Sequence, residues 1–139
     1  MSTKEPKKPT PQQALRGCWH TLRTLALLAV VPLILLYIFG FAIKTSTEYD
    51  CVIQTVRQSA SVIAITGEPI TPGMFAWTVY FESGGGLRQG QFYTTISGPR
   101  GRGRIQAQFY RTPVGATLGI WFKAEGEELE VYNGAYPCQ

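Results

Sequence analysis

Histidine is almost missing from this chain: His20 is the only one in 139 residues. From Lys44 onward there is none, which removes the commonest general base and the commonest metal ligand from that whole stretch. Hydrolase triads and zinc centres in their usual forms are thereby excluded. The three cysteines, Cys18, Cys51 and Cys138, show no CxxC spacing, and there is no CxxCH for covalent haem. Met74 is the only methionine after residue 44, so a copper site lacks its soft ligands. A phosphate cradle is missing as well, since GK[ST] does not occur and GGGLRQG does not fit G-x-G-x-x-G ahead of a helix. No cofactor and no metal are therefore expected. The acidic cluster Glu125, Glu127, Glu128 and Glu130 lacks the spaced oxygen ligands of a calcium loop and reads as a solvated turn. Catalysis would have to rest on Lys123 or a serine nucleophile without histidine, which leaves an enzyme as the remote alternative.

Charge is missing too, and in one place. Between Thr24 and Ile43 no charged residue occurs, and at ~1.5 Å per residue the run LALLAVVPLILLYIFGFAI is long enough to cross a ~30 Å hydrocarbon core. The pattern predicts one transmembrane helix over 24–43, kinked at Pro32. The charges on either side differ. Residues 1–23 carry Lys4, Lys7, Lys8, Arg16 and Arg23 against Glu5, whereas residues 44–139 carry positive and negative side chains in equal number. A neutral C-terminal part gives no field for nucleic acid, so no nucleic-acid partner is expected. Basic residues next to a span stay on the cytoplasmic side, which predicts an N-terminus inside and residues 44–139 outside. Ala42-Ile43-Lys44 offers no small-x-small cleavage site, so the helix should be retained as an anchor in the lipid bilayer. With three prolines and little to bury, residues 1–23 are expected to be a disordered basic cytoplasmic tail. That tail is unlike an Arg- and Ser-rich, acid-free presequence, which favours a bacterial inner membrane, with a periplasmic domain, over a mitochondrial inner membrane.

Cys51 and Cys138 stand at the two ends of the outer part, where an oxidising compartment would let them pair as a disulfide. Two separate thiols are the alternative.

Apolar residues at Tyr49, Val52, Ile53, Val56, Ala60 and Ile63 are spaced by threes and fours, which predicts an amphipathic helix over 49–66 ended by Gly67. Alternating runs follow between turn residues: 74–83, 87–97, 104–111, 117–123 and 129–133. The first places Phe75, Trp77, Val79 and Phe81 on one face and Thr78, Tyr80 and Glu82 on the other. The expected fold is α+β: one amphipathic helix packed on an antiparallel meander of four to five strands, behind a single transmembrane helix. Within SGPRGRGR, Arg100, Arg102 and Arg104 alternate and would point the same way in an extended backbone, a row suited to an acidic partner, a lipid head group or phosphate. A glycine-rich hairpin with solvated charges is the plainer reading.

Gly67-Glu68-Pro69-Ile70 after a helix and Ser97-Gly98-Pro99-Arg100-Gly101-Arg102-Gly103 between two strands together resemble the cytochrome oxidase assembly protein 1 family. The resemblance covers about residues 45–133. It implies a membrane-anchored, non-enzymatic module that binds an integral membrane protein, with cytochrome oxidase subunits as the partner class. A translocation-associated anchor unrelated to respiration is the alternative. Carried over by position, the matching residues are Gly67, Glu68, Pro69, Gly98, Pro99, Arg100, Gly101, Arg102 and Gly103.

Overall fold

The computed structural model describes residues 11–138. A long helix, α1 (Pro11–Gly40), leads into a 3-10 turn at Ala42–Thr45, then α2 (Thr47–Gln58) and α3 (Ala60–Thr66). Five strands follow: β1 (Thr71–Gly84), β2 (Leu87–Ser97), β3 (Arg102–Thr112), β4 (Gly115–Ala124) and β5 (Glu127–Ala135). They form one antiparallel sheet in the order β1-β2-β3-β4-β5, so the α+β meander is the observed architecture.

Within α1, Cys18–Gly40 is a 23-residue stretch of mean hydropathy 2.3, about 34 Å long, which is long and apolar enough to cross a membrane. Its boundaries differ from the expected ones at both ends. Residues 11–23, expected in a disordered tail, continue the helix, while residues 1–10 lie outside the described residues. Adding residues to an existing helix costs far less than starting one, and Pro11 sits in a first turn where its missing N–H is no loss. At the other end the α-helix stops at Gly40 rather than Ile43. Ile43 belongs to the core of the folded domain, and the 3-10 turn around it redirects the chain.

Ser46 caps α2 by accepting a hydrogen bond from the Tyr49 amide, and Glu48 and Asp50 lie in the first turn, where the helix dipole favours negative charge. Tyr49, Val52, Ile53 and Val56 are buried as their spacing requires. The single helix expected over 49–66 is in fact two. Ser59 is extended (φ −78°, ψ 112°), because serine hydroxyls compete with helical backbone bonding, and here Ser59 and Ser61 bond each other at 2.9 Å. The break rotates the next turn, so Val62 and Thr66 are buried, Ile63 is half-buried and Ala60 is exposed. Gly67 ends α3 with φ +75°.

One face of the sheet receives these helices. Its buried side chains include Phe92 on β2, Ile105, Ala107 and Phe109 on β3, and Leu118, Ile120 and Phe122 on β4. The strand limits match the alternating runs to within three residues, but β1 does not keep a single alternation. A bulge between Thr78 and Tyr80 inserts Val79, so Trp77 pairs with Tyr93 on the open face while Phe81 pairs with Gly90 beside the core phenylalanine Phe109. Trp77 therefore shares a face with Tyr80 and Glu82, not with Phe81.

Cys51 and Cys138 form a disulfide with Cα atoms 5.8 Å apart, tying the start of α2 to the segment after β5. Next to it, Glu48 is fully buried and held by Arg88 of β2 (Nη2 to Oε2, 3.0 Å) and Arg111 of β3 (Nη1 to Oε1, 2.9 Å). The Arg111 guanidinium also covers the Tyr136 ring at 4.7 Å. Burial first, and the Glu48 charge second, push the Tyr136 phenol above its ordinary value. Desolvating a carboxylate is expensive, so removing Glu48's charge partners is worse than never having had the charge. Removing both clamps, Arg88→Ala with Arg111→Ala, leaves that carboxylate buried and unpaired and should cost about 3–5 kcal/mol in urea unfolding of the detergent-solubilised chain, more than Glu48→Ala, which removes the charge itself. A Glu48→Ala loss larger than that of the double arginine variant would contradict this picture.

Candidate functional site

Two surfaces have unusual chemistry. The first joins the two turns picked out by the family resemblance. The segment Gly98–Gly101 packs on the C-terminus of α3, where backbone carbonyls lack helical partners. The amides of Arg100 and Gly101 both donate to the Thr66 carbonyl, at 2.9 and 3.3 Å. Arg100 Nη2 donates to the Ile63 carbonyl at 2.6 Å, placing a cation where the helix dipole favours one. Pro99 lies against Gly67, and a methyl group at Gly98 would collide with the Thr66 and Gly67 carbonyl oxygens. These residues therefore form a joint between α3 and the β2–β3 turn. Glu68 and Pro69 remain exposed beside it.

The expected row of three arginines is divided by this joint. Arg100 precedes β3 and turns back onto α3, where its amide bonds the Thr66 carbonyl and its guanidinium shares the Ile63 carbonyl with the Gly67 amide. Arg102 and Arg104 lie on β3, exposed, facing away from the helices.

That outward face is the second surface. Neither α2 nor α3 covers it, the end of α1 reaches only its β1 edge, where a methyl group on Gly40 would stand 3.5 Å from the Trp77 ring, and a row of paired residues crosses all five strands: Trp77, Tyr93, Gln106, Trp121 and Glu130. Arg104 lies over the Tyr93 ring at 5.5 Å, stands opposite Lys123, and Lys123 in turn stands opposite Glu128. Gln108 reaches the Tyr80 hydroxyl at 3.4 Å, with Gln91 next to it across β2. The Trp121 ring lies over Gly119, where any side chain would meet it. A depression of about 150 Å³ opens beside it, lined by Gln108, Tyr110, Trp121 and Asn133. Half-exposed Tyr and Trp with Arg at the margin is the composition of a binding surface, in which a few rigid aromatics carry most of the affinity.

Sequence reasoning grouped Thr78, Tyr80 and Glu82 of β1 on one face, but Thr78 pairs with buried Phe92 on the covered side, and it missed the Tyr93–Trp121 row. Each of its members alternates correctly within its own strand, and only the register brings them together. Lys123 is exposed and its neighbours across the strands are Arg104 and Glu128. Glu127, Glu128 and Glu130 are spread along β5, and among the described residues no three His, Cys, Asp or Glu side chains converge as a metal site. Cys18 is free and exposed.

Comparison of the chain with protein-family models, with curated proteins and with solved structures found no match. The roles of the two surfaces are separable by stability. Gly98→Ala forces the β2–β3 turn off α3 and should destabilise by about 2 kcal/mol or more. Arg100→Gln loses one charged hydrogen bond and should cost about 1 kcal/mol, whereas Arg104→Gln should stay within ~0.5 kcal/mol. Equal losses in thermal unfolding for Arg100→Gln and Arg104→Gln would contradict the division.

Proposed function

We propose that this chain is a membrane-anchored, non-enzymatic module whose open sheet face docks an integral membrane protein. The single observation that carries the reading is the uncovered row Tyr93, Gln106 and Trp121 with Arg104 beside it. An anchored domain needs little intrinsic affinity, because confinement to one bilayer already raises the effective concentration of a membrane partner. A shallow aromatic surface suits that task better than a deep cleft.

The basic residues before the apolar helix support an N-terminus in the cytoplasm and an α+β domain on the periplasmic side of a bacterial inner membrane. The disulfide between Cys51 and Cys138 accords with an oxidising compartment. For the partner, the two turns shared with the cytochrome oxidase assembly proteins favour a respiratory oxidase subunit during or after assembly. Those turns form a structural joint here, so they support a common fold before a common partner.

A membrane-impermeant amine crosslinker applied to spheroplasts tests orientation and partner together. Lys123 should be reached from outside and should join the protein to an oxidase subunit identified by mass spectrometry. Tyr93→Ser combined with Trp121→Ser should reduce that adduct several-fold while leaving the disulfide formed. Protection of Lys123 in spheroplasts but not in inverted vesicles would contradict the orientation, and adducts with translocation components alone would contradict the respiratory partner.

A further inference from the structure

Val79 and Phe81, exposed apolar residues of β1 that are not on the docking face, lie beside the end of the apolar helix. A methyl group on Gly40 would stand 3.1 Å from Phe75 Cδ1 and 3.5 Å from the Trp77 ring. Phe41 packs edge-on against Phe75 at 5.3 Å, and Phe75 stacks on Trp77 at 5.3 Å. Lys44 Nζ donates to the Gly73 and Met74 carbonyls at 2.9 and 3.1 Å, clamping the chain that leaves the helix to the start of β1. Aromatic rings and a lysine at the end of an apolar helix are the groups that settle at a bilayer interface.

Between the last turn of α1 and the bulged part of β1 runs a groove of about 470 Å³. Its lining includes Ile38, Phe39 and Ala42 from the end of the helix, Thr78, Val79, Tyr80 and Phe81 of β1, and Arg88 of β2. Val79 is 55% exposed and Phe81 45% exposed, which is unusual for an edge strand in water, where long apolar edges invite aggregation. The groove is also polarised. Ile38 and Phe39 belong to the apolar helix, while Thr45, Ser46 and Arg88 lie where the chain has left it. Arg88 gives only Nη2 to Glu48, its side chain is 41% exposed, and the Glu48–Arg88–Arg111 group keeps one net positive charge.

We propose that this groove is a phospholipid site, resting on the reading of Cys18–Gly40 as a membrane span. One acyl chain lies between Ile38 and Phe39 on the helix and Val79 and Phe81 on β1, with the lipid phosphate at Arg88. Ile38 and Phe39 are the groove's residues from the apolar helix and Arg88 is the charged residue in its lining, so the acyl chain belongs with the former and the phosphate with the latter. Bulging at Val79 then has a use: it turns two apolar side chains of one strand toward the lipid while Trp77 stays on the open face. A bound lipid also covers the apolar edge of β1 and keeps it from pairing with another strand.

The test reconstitutes the full chain in phosphatidylcholine vesicles containing phosphatidylglycerol with a diazirine on its acyl chain, followed by irradiation and peptide mapping. Adducts are expected on Val79–Phe81 as well as on the helix. Val79→Trp fills the groove and should reduce β1 labelling several-fold, with the Cys51–Cys138 disulfide and far-ultraviolet circular dichroism confirming that the variant is folded. Lys123→Gln, on the open face, should leave labelling unchanged. Adducts confined to the helix, or undiminished β1 labelling in folded Val79→Trp, would overturn the lipid site while leaving the anchor intact. Absence of labelling on both peptides, with extraction of the protein by alkaline carbonate, would overturn the span and the site together.

Discussion

A β-sheet has two faces, and this chain has one layer of helices to cover them. The short helices α2 and α3 use up that layer on the face bearing Phe92, Phe109 and Phe122. Every other feature follows from that allocation. The covered face becomes the core, closed by the Cys51–Cys138 disulfide at one end of α2 and by the clamp of Arg88 and Arg111 on buried Glu48. The opposite face receives neither α2 nor α3, and its residues must be compatible with water, a demand that Gln91, Gln106 and Gln108 meet; Tyr93 and Trp121, with Arg104 over the tyrosine ring, are the groups that the proposed docking would use.

The junctions of this domain are made by backbone rather than by large side chains. At the C-terminus of α3, the amides of Arg100 and Gly101 donate to the Thr66 carbonyl and the Arg100 guanidinium to the Ile63 carbonyl, while Pro99 packs beside Gly67. Such a joint constrains sequence tightly, because a side chain at Gly98 has nowhere to go. Turn motifs that look like recognition elements in a linear sequence can therefore be read as fold determinants, and the recognition surface has to be sought on the strands between them.

Much of the architecture was legible beforehand because it depends on local period. The strand limits, the turn residues, the helix stop at Gly67 and the long uncharged run all announce themselves within windows of ten to twenty residues. The cysteine pair was legible for a different reason, its placement at the two ends of one domain. What escaped is nonlocal or irregular. The bulge at Val79 reverses the facing of β1 without breaking its apolar pattern, so Trp77 and Phe81 read as one face and lie on two. The Glu48 cluster joins residues 40 and 63 positions apart, and no short window contains it. Arg100, Arg102 and Arg104 alternate perfectly in sequence, yet the helix end captures the first of them. The Ser59 break shifts burial from Ile63 to Val62, a rotation that only the packing of α3 decides.

The central claim is that the open sheet face, and not the helical layer, meets the partner. Site-specific incorporation of a benzophenone side chain at Gln106, in the middle of that face, and at Gln54, exposed on α2, tests it most directly in intact cells. The account predicts a discrete ultraviolet-dependent adduct from Gln106 and little or none from Gln54. An adduct from Gln54 with none from Gln106 would contradict it and move the interaction surface to the helices.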